Sequence, residues 1–236
     1  MKTSIKLISI ILAFVIVISA LSINVIATPN NFCTDADIYR NHNNDKMKIA
    51  LTFDDGPHPK YTPRILDILN EYGIKATFFT VGINAYYYPE TLNMIVNQGH
   101  EIGNHTYSHP HVNLVNRSKL KSEIEQCEET IFGITDQRTK LFRPPEGMLD
   151  SSILNVVRGL DYRIILWNID TRDWAHTPPQ DIAKHVIDSI SPGDIILMHD
   201  YIGSNSPTCD AMQIFIPELI SKGYNFVTVS ELIDTK

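Results

Sequence analysis

The sequence predicts an α/β protein whose parallel β-sheet is open or curled into a barrel. Strand-like and helix-like patterns alternate in seven units from Met47 onward, an order that is typical of a parallel sheet covered by helices. Polar side chains suited to catalysis follow the predicted ends of five different strands. Because catalytic groups collect at the carboxyl ends of the strands in β/α barrels, we expect a closed or nearly closed barrel with one shared site.

The strands are predicted from short apolar runs that are bounded by turn residues. The first run ends in two adjacent carboxylates, and the third leads directly into a pair of histidines. The predicted strands are 48–53, 76–81, 101–104, 140–142, 162–167, 194–198 and 225–229.

The helices are predicted from apolar residues that recur at helical spacing. The clearest helix covers 118–132 and places an apolar stripe on one face. Gly73 and Gly99 follow the first two helices, at the position where glycine commonly ends a helix. The predicted helices are 63–72, 89–98, 118–132, 151–159, 179–189 and 212–221.

The composition is that of a globular protein with one sizeable domain. The chain has 236 residues, 43% of them hydrophobic, and a formal net charge of −7. Proteins that bind nucleic acid are usually basic, so the acidic balance argues against a nucleic-acid partner. We expect the chain to act as a monomer.

The N-terminus has the pattern of a targeting segment. Lys2 and Lys6 precede an uncharged apolar stretch over 7–27, and residues 25–27 resemble a small-residue cleavage site. The stretch is also close to the length that spans a bilayer, so a cleaved signal peptide and a retained membrane tether both remain open. Either alternative predicts that the domain over 47–236 lies outside the cytoplasm or on the cell surface. The polar segment 28–46 is expected to be a flexible linker.

The three cysteines do not predict a sulfur-ligated metal site. Cys33, Cys127 and Cys209 are far apart in the sequence and form no C-x-x-C pair. A disulfide between Cys127 and Cys209 remains open, since spacing alone does not show whether two thiols are close enough to bond.

Two strings carry most of the chemistry. The first, Thr-Phe-Asp-Asp-Gly-Pro at 52–57, places Asp54 and Asp55 at the mouth of a buried strand. Neighbouring side chains on an extended chain point to opposite sides, so one carboxylate can bind a metal while the other faces a water. A plain turn is the alternative, because Asp-Gly-Pro is also common in turns.

The second string contains His105 and His109, which can converge on one point. Two imidazoles and a carboxylate supply three N/O ligands, the number that a catalytic zinc site uses. Zinc, cobalt and nickel all accept such a set. The sequence therefore predicts a metal-assisted hydrolase, with exposed loop histidines as the alternative.

Three further strand ends add acid, base and binding groups. Arg143 lies between Phe142 and two prolines, where a rigid guanidinium suits the clamping of a carboxylate. The segment 167–174 carries both tryptophans of the chain and two aspartates, and it suits the wall of a sugar or acyl pocket. His199 ends an apolar strand and is a candidate general acid, tuned by a nearby aspartate. The tyrosines at 86–88 either stack on a sugar ring or support the following helix.

These five pieces, in this order, resemble the polysaccharide deacetylase family with the NodB homology domain, carbohydrate esterase family four. The resemblance extends over about residues 47–234. It implies a distorted (β/α)7 barrel, an acetylated glycan as substrate, and the hydrolysis of N-acetyl or sometimes O-acetyl groups.

The resemblance also implies a role for each site residue. Asp55, His105 and His109 would hold a divalent metal, zinc in the first place with cobalt or nickel as alternatives. Asp54 would be the general base that activates water, and His199 would protonate the leaving amine.

The remaining residues would support that chemistry. Arg143 would orient Asp54, and Asp173 would orient His199. Trp174 and Leu197 would line the pocket for the acetyl methyl group, while the backbone N–H of Glu146 would help to hold the oxyanion.

The chain departs from the family pattern at Glu146, where an aromatic residue is usual, and more mildly at Asn168. A backbone N–H survives the first change, and we expect the Glu146 side chain to point outward and to alter glycan preference. The predicted substrate is peptidoglycan N-acetylglucosamine or a chitin-like oligosaccharide. Two alternatives stay open: an O-acetyl xylan esterase on the same site, and a non-catalytic glycan-binding protein.

Overall fold

The computed structural model describes residues 38–42, 46–203 and 205–234. The predicted signal peptide or tether at 1–27 and Cys33 lie outside these residues. Across the described ranges, no helix combines the length and the apolar character needed to cross a bilayer.

A single parallel sheet forms the centre of the molecule. Its main path runs β1-β6-β5-β4-β3-β2-β8-β7, and β9 pairs with β2. Within the described part of the chain no pairing joins β1 to β7, so the sheet is a curled, incompletely closed barrel rather than a closed one. The strands are β1 Ile38–Tyr39, β2 Lys48–Asp54, β3 Thr77–Thr80, β4 Glu101–Asn104, β5 Leu141–Phe142, β6 Arg163–Ile165, β7 Ile169–Asp170, β8 Ile195–His199 and β9 Asn225–Val227.

Strand β2 is the central strand and directs the site residues inward. Its odd-numbered apolar residues pack in a hydrophobic cluster together with residues of the covering helices. Ala50, on the opposite face, packs in a cluster with residues of five other strands, including Phe79 and Ile165. Since side chains alternate along a strand, Thr52 and Asp54 share the inner face with Ala50.

The helices cover the outside of the sheet. The helix predicted over 118–132 extends further in both directions, and the side chain of Asn116 caps it by accepting a hydrogen bond from the Lys119 N–H. The helices are α1 Tyr61–Glu71, α2 Gly82–Tyr87, α3 Pro89–Asn97, α4 Arg117–Thr135, α5 Ser151–Gly159, α6 Pro179–Ser189, α7 Thr208–Ser221 and α8 Val229–Ile233. Two short 3₁₀ turns lie at Pro145–Gly147 and Asp173–Ala175.

The predicted linker 28–46 is wrong at its described end. Ile38 and Tyr39 form β1, which pairs in parallel with β6. Both side chains are partly buried, and the Tyr39 carbonyl accepts a hydrogen bond from the Leu166 N–H at 2.7 Å. The domain therefore begins before Met47, because this short strand covers an edge of the sheet.

The disulfide that the sequence left open is not formed. Cys127 and Cys209 are both free and buried. Burial raises the pKa of the Cys209 thiol to about 11, so we expect it to behave as a small apolar side chain.

Candidate active site

The predicted site residues meet at the carboxyl ends of the strands. A pocket of about 380 Å³ opens there. Its walls include eight of the ten predicted residues, while Arg143 and Asp173 lie fully buried behind it. The lining residues are Asp54, Asp55, His105, His109, Glu146, Trp167, Asp170, Trp174, Leu197 and His199.

Three side chains in the pocket form a candidate metal centre. One ligand atom each from Asp55, His105 and His109 lie within 4.8 Å of one another. Asp55 Oδ1 is 3.5 Å from His105 Nε2 and 3.2 Å from His109 Nε2. His105 Nδ1 donates to the Arg143 carbonyl at 2.7 Å, which directs the Nε2 lone pair into the pocket, as second partners do for metal-ligating histidines.

The donor set and one unpaired atom fit a divalent cation. Asp55 Oδ1 is buried and has no hydrogen-bond partner, a costly state unless a charged group faces it. Burial alone would raise the pKa of this carboxyl, but the neighbouring histidines hold the pKa below its usual value. Asp55 therefore presents an ionised oxygen toward the two imidazoles.

A loop rather than a helix brings the two histidines together. Thr106 and His109 have left-handed backbones, with φ of 69° and 52°, a strained conformation for residues with a Cβ. Two contacts fix the loop: Asn104 Oδ1 accepts from the Thr106 N–H at 2.9 Å, and Glu123 Oε2 accepts from the Ser108 N–H at 2.7 Å.

Asp54 is held apart from the metal ligands by Arg143. The guanidinium donates from Nη1 to Asp54 Oδ1 at 2.7 Å and to Thr52 Oγ1 at 2.8 Å. Its other nitrogens donate to the carbonyls of Ile165 and Leu166. Arg143 is fully buried, so its charge is offset by Asp54 and by these oxygens. Only one oxygen of Asp54 is used in this way, and Oδ2 lies 3.8 Å from His105 Nε2.

His199 and Asp173 form a second hydrogen-bonded pair. Asp173 Oδ1 lies 2.8 Å from His199 Nδ1, and Oδ2 accepts from the His199 backbone N–H at 2.8 Å. The Thr208 hydroxyl also donates to Oδ2, at 2.7 Å. Burial alone would lower the pKa of His199, but Asp173 outweighs it and the pKa rises to about 9. His199 is therefore protonated at neutral pH.

The outer wall of the pocket carries the predicted substrate residues. Leu197 is buried, and Trp174 is half exposed with its indole N–H 3.3 Å from Asp170 Oδ1. The Glu146 side chain is exposed at the pocket wall, and Oε1 lies 2.9 Å from His111 Nδ1. The Gly147 N–H donates to the Pro144 carbonyl and is therefore not available to an oxyanion. The Glu146 N–H stays the predicted oxyanion donor.

The sequence assigned no individual role to three supporting residues. Thr208 starts a helix and carries no local signal for its contact with Asp173. Glu123 does carry one, because a carboxylate at 123 falls on the buried stripe of α4. Trp167, in the segment 167–174 predicted as a pocket wall, lines the pocket, and its ring centroid lies 5.4 Å from the Arg143 guanidinium.

Asp200 is a fourth such residue and explains a glycine in the first motif. It is buried beside His199, and the Thr62 hydroxyl donates to Oδ2 at 2.5 Å. Burial raises its pKa to about 7. A Cβ on Gly56 would lie 2.0 Å from this carboxylate, so only glycine fits between Asp55 and Pro57.

Comparisons with known proteins agree with this arrangement. The sequence profile described as polysaccharide deacetylase matches residues 41–165. A peptidoglycan-N-acetylglucosamine deacetylase of Bacillus cereus is 39% identical over 196 residues, which cover 82% of this chain and 91% of that protein.

Two solved structures extend the agreement to the fold. A peptidoglycan N-acetylglucosamine deacetylase, 36% identical, superimposes with a TM-score of 0.82 over 85% of this chain and 94% of the other. A family 4 acetyl xylan esterase from Clostridium thermocellum in complex with a cobalt ion is 34% identical, with a TM-score of 0.73 over 78% and 89% of the two chains. This similarity confirms the predicted (β/α)7 fold class.

Proposed function

The chain belongs to the polysaccharide deacetylase family, and we propose that it removes N-acetyl groups from the N-acetylglucosamine residues of peptidoglycan. As a polysaccharide deacetylase it is a hydrolase that acts on acetylated glycans. One observation carries the choice of mechanism: a carboxylate on Arg143, an Asp-His-His cluster and a protonated His199 face the same pocket. The substrate is proposed from the relatives that act on peptidoglycan.

Asp55, His105 and His109 hold the metal in this proposal, and the metal is zinc. Their N/O donor set suits zinc, with cobalt and nickel as alternatives. A divalent cation there would polarise the acetyl carbonyl and lower the pKa of a water.

Asp54 is the general base. Arg143 binds Oδ1 of Asp54 through a charge-assisted hydrogen bond, so Oδ2 is left to accept a proton from the attacking water. Because both side chains are buried, the carboxylate keeps one orientation and does not join the metal ligands.

His199 is the general acid. Asp173 fixes its ring through Nδ1, so Nε2 faces the pocket and carries the proton that the departing amine nitrogen requires. Proton transfer to the nitrogen is needed because an amide anion is a very poor leaving group.

The acetyl group is positioned by the pocket wall. Leu197 and Trp174 provide an apolar surface for the methyl group. The Glu146 N–H is assigned to the developing oxyanion, where a fixed backbone donor stabilises charge without reorganisation.

The enzyme acts outside the cytoplasm, at the cell wall. Peptidoglycan is the substrate named for the relatives, and the predicted targeting segment over 1–27 supports export. Retention through residues 7–27 as a membrane tether is the alternative to cleavage.

Acetate release from peptidoglycan, chitin pentamer and acetylxylan tests the proposal, with zinc and with a chelator as the control. Chelator-sensitive release from peptidoglycan or chitin pentamer is expected. Release from acetylxylan alone would move the reaction to ester hydrolysis, which the similarity to the xylan esterase favours as second candidate. No release from metal-loaded protein would contradict the proposal and favour glycan binding without catalysis.

A further inference from the structure

We propose that Tyr201, stacked on His58, forms a second sugar-binding subsite beside the catalytic pocket, for the pyranose ring next to the reacting one. This proposal rests on the proposed function and deepens it, since it makes the enzyme sensitive to glycan length. The ligand is a sugar unit of the same chain whose acetyl group lies in the pocket.

Exposed aromatic side chains are confined to one end of the described molecule. They are Tyr86, Tyr87, Trp174 and Tyr201, exposed by 64%, 64%, 50% and 42%. Each follows the carboxyl end of a strand: β3, β7 or β8. Single exposed apolar side chains are ordinary on a protein surface, so the observation that points to a ligand is their shared position after the strand ends that hold the catalytic pocket.

Tyr201 and His58 form a fixed flat surface. Their ring centroids are 4.5 Å apart with an interplanar angle of 6°. His58 Nδ1 accepts from the Lys60 N–H at 3.2 Å, and Tyr61 packs 4.9 Å from the His58 ring. The imidazole therefore supports one face of Tyr201, and the exposed part of the tyrosine is open to a ligand.

Two short chain segments connect this surface to the catalytic residues. His58 is three residues after the metal ligand Asp55, and Tyr201 is two residues after His199. Because an extended chain spans at most ~3.6 Å per residue, the Cα atom of His58 lies within about 11 Å of the Cα atom of Asp55. Asn84 of the neighbouring helix α2 donates to the Asp55 carbonyl at 2.8 Å. This hydrogen bond holds α2 against the segment that carries Asp55.

The chemistry of the surface matches a pyranose ring. One face of such a ring presents C–H groups, which pack on an aromatic ring, while its hydroxyls stay in water. A rigid ring on a supported surface adds affinity because little side-chain freedom is lost on binding. The subsite therefore favours glycans longer than one unit.

Chain-length dependence tests this subsite in the full-length protein. We compare kcat/KM for single N-acetylglucosamine and chitin pentamer in wild type, Tyr201→Ala, Tyr201→Phe and Ile214→Ala, because the single sugar cannot fill the neighbouring subsite. The last variant removes an equally exposed apolar side chain on α7, which lies outside the pocket and the subsite. The ratio of pentamer to single sugar is expected to fall about fivefold in Tyr201→Ala, through a higher KM for the pentamer, and to be kept in Tyr201→Phe and Ile214→Ala.

An unchanged ratio in Tyr201→Ala would overturn the subsite while leaving the proposed function intact. If wild type releases no acetate from either substrate, the proposed function fails, and calorimetric binding of chitin pentamer then decides the subsite. Weaker binding to Tyr201→Ala than to wild type supports it, and equal binding overturns it. If Tyr201→Ala does not fold, Tyr201→Leu replaces it, since leucine keeps apolar bulk without an aromatic face.

Discussion

Two adjacent carboxylates take different environments because the backbone turns between them. Asp54 ends β2 and faces the buried Arg143. Asp55 has a left-handed backbone with φ of 74°, and this turn brings its side chain to the two histidines. The separation of base from ligand therefore depends on one local change of backbone direction, supported by the close fit of Gly56 against Asp200.

The pH dependence of catalysis is expected to follow His199. A general acid must be protonated, and the raised pKa of about 9 keeps it so at neutral pH. In Asp173→Asn the pKa of His199 is expected to fall toward its ordinary 6.5. As pH rises, the variant therefore loses activity at a lower pH than wild type does. The measurement is the alkaline limb of kcat/KM, which shifts to lower pH in the variant; an unmoved limb would show that His199 is not the acid.

The site residues could be named from the sequence because each is polar at the end of an apolar strand. Asp54, His105 and His199 stand out in that way without any knowledge of the fold. The second partner of Asp173, the Thr208 hydroxyl, could not be named. Thr208 is distant in sequence and reaches Asp173 only when β8 and α7 fold together. Glu123 could have been noticed as a charge on the apolar stripe of α4. A single such charge has many ordinary causes on a surface helix, so it did not identify a role in the site.

Among the elements, helix α4 is linked to the metal centre through one buried carboxylate. Glu123 accepts from the Ser108 backbone and side chain and lies 2.6 Å from Lys119 Nζ. These contacts hold the loop whose strained backbone places His109. The helix would thereby support the candidate metal centre without providing a ligand.

Glu123→Gln is expected to weaken zinc affinity about tenfold, in the range seen for residues that orient metal ligands. The cause is that the glutamine NH₂ replaces an acceptor needed by Ser108. The matched control is Glu128→Gln on the same helix, whose carboxylate contacts the Tyr162 hydroxyl and not the loop. Chelator competition measures the dissociation constants; equal affinity of Glu123→Gln and wild type would remove the helix from this role.

Strand β1 has a similar indirect role. The Tyr39 carbonyl holds the Leu166 N–H, and the Leu166 carbonyl in turn accepts from Arg143. A fragment over 47–236 is expected to be about 1–3 kcal/mol less stable than one over 36–236, because the Leu166 N–H loses its partner. Urea unfolding of the two fragments measures this difference, and equal stabilities would show that β1 is dispensable.

Most of the strands and longer helices were predictable, but two short edge strands were not. Residues 101–104, 151–159 and 179–189 form elements with the bounds that their patterns predict. The strands β1 and β7 have two residues each, too few for periodicity to be visible. The incomplete closure of the barrel was also outside the reach of the sequence, since it depends on which edge strands pair.

For the whole molecule, the metal is expected to contribute to stability, because its ligands come from the segment after β2 and from the loop after β4. Zinc at about 100 times its dissociation constant adds about 2.7 kcal/mol. That corresponds to roughly 5–10 °C in Tm for a chain of this size. The shift is expected in wild type and in His185→Ala, an exposed histidine on α6, but not in His105→Ala. A zinc-dependent shift that persists in His105→Ala would place the metal elsewhere.

The division of labour between Asp54 and Asp55 is the central claim, and Asp54→Asn tests it most directly. Acetate release from chitin pentamer and bound zinc per chain are measured on the same sample, after a thermal melt has confirmed folding. The account predicts a full zinc complement with turnover abolished, because the variant keeps all three ligands and loses only the base. Retained turnover, or loss of zinc together with activity, would contradict it.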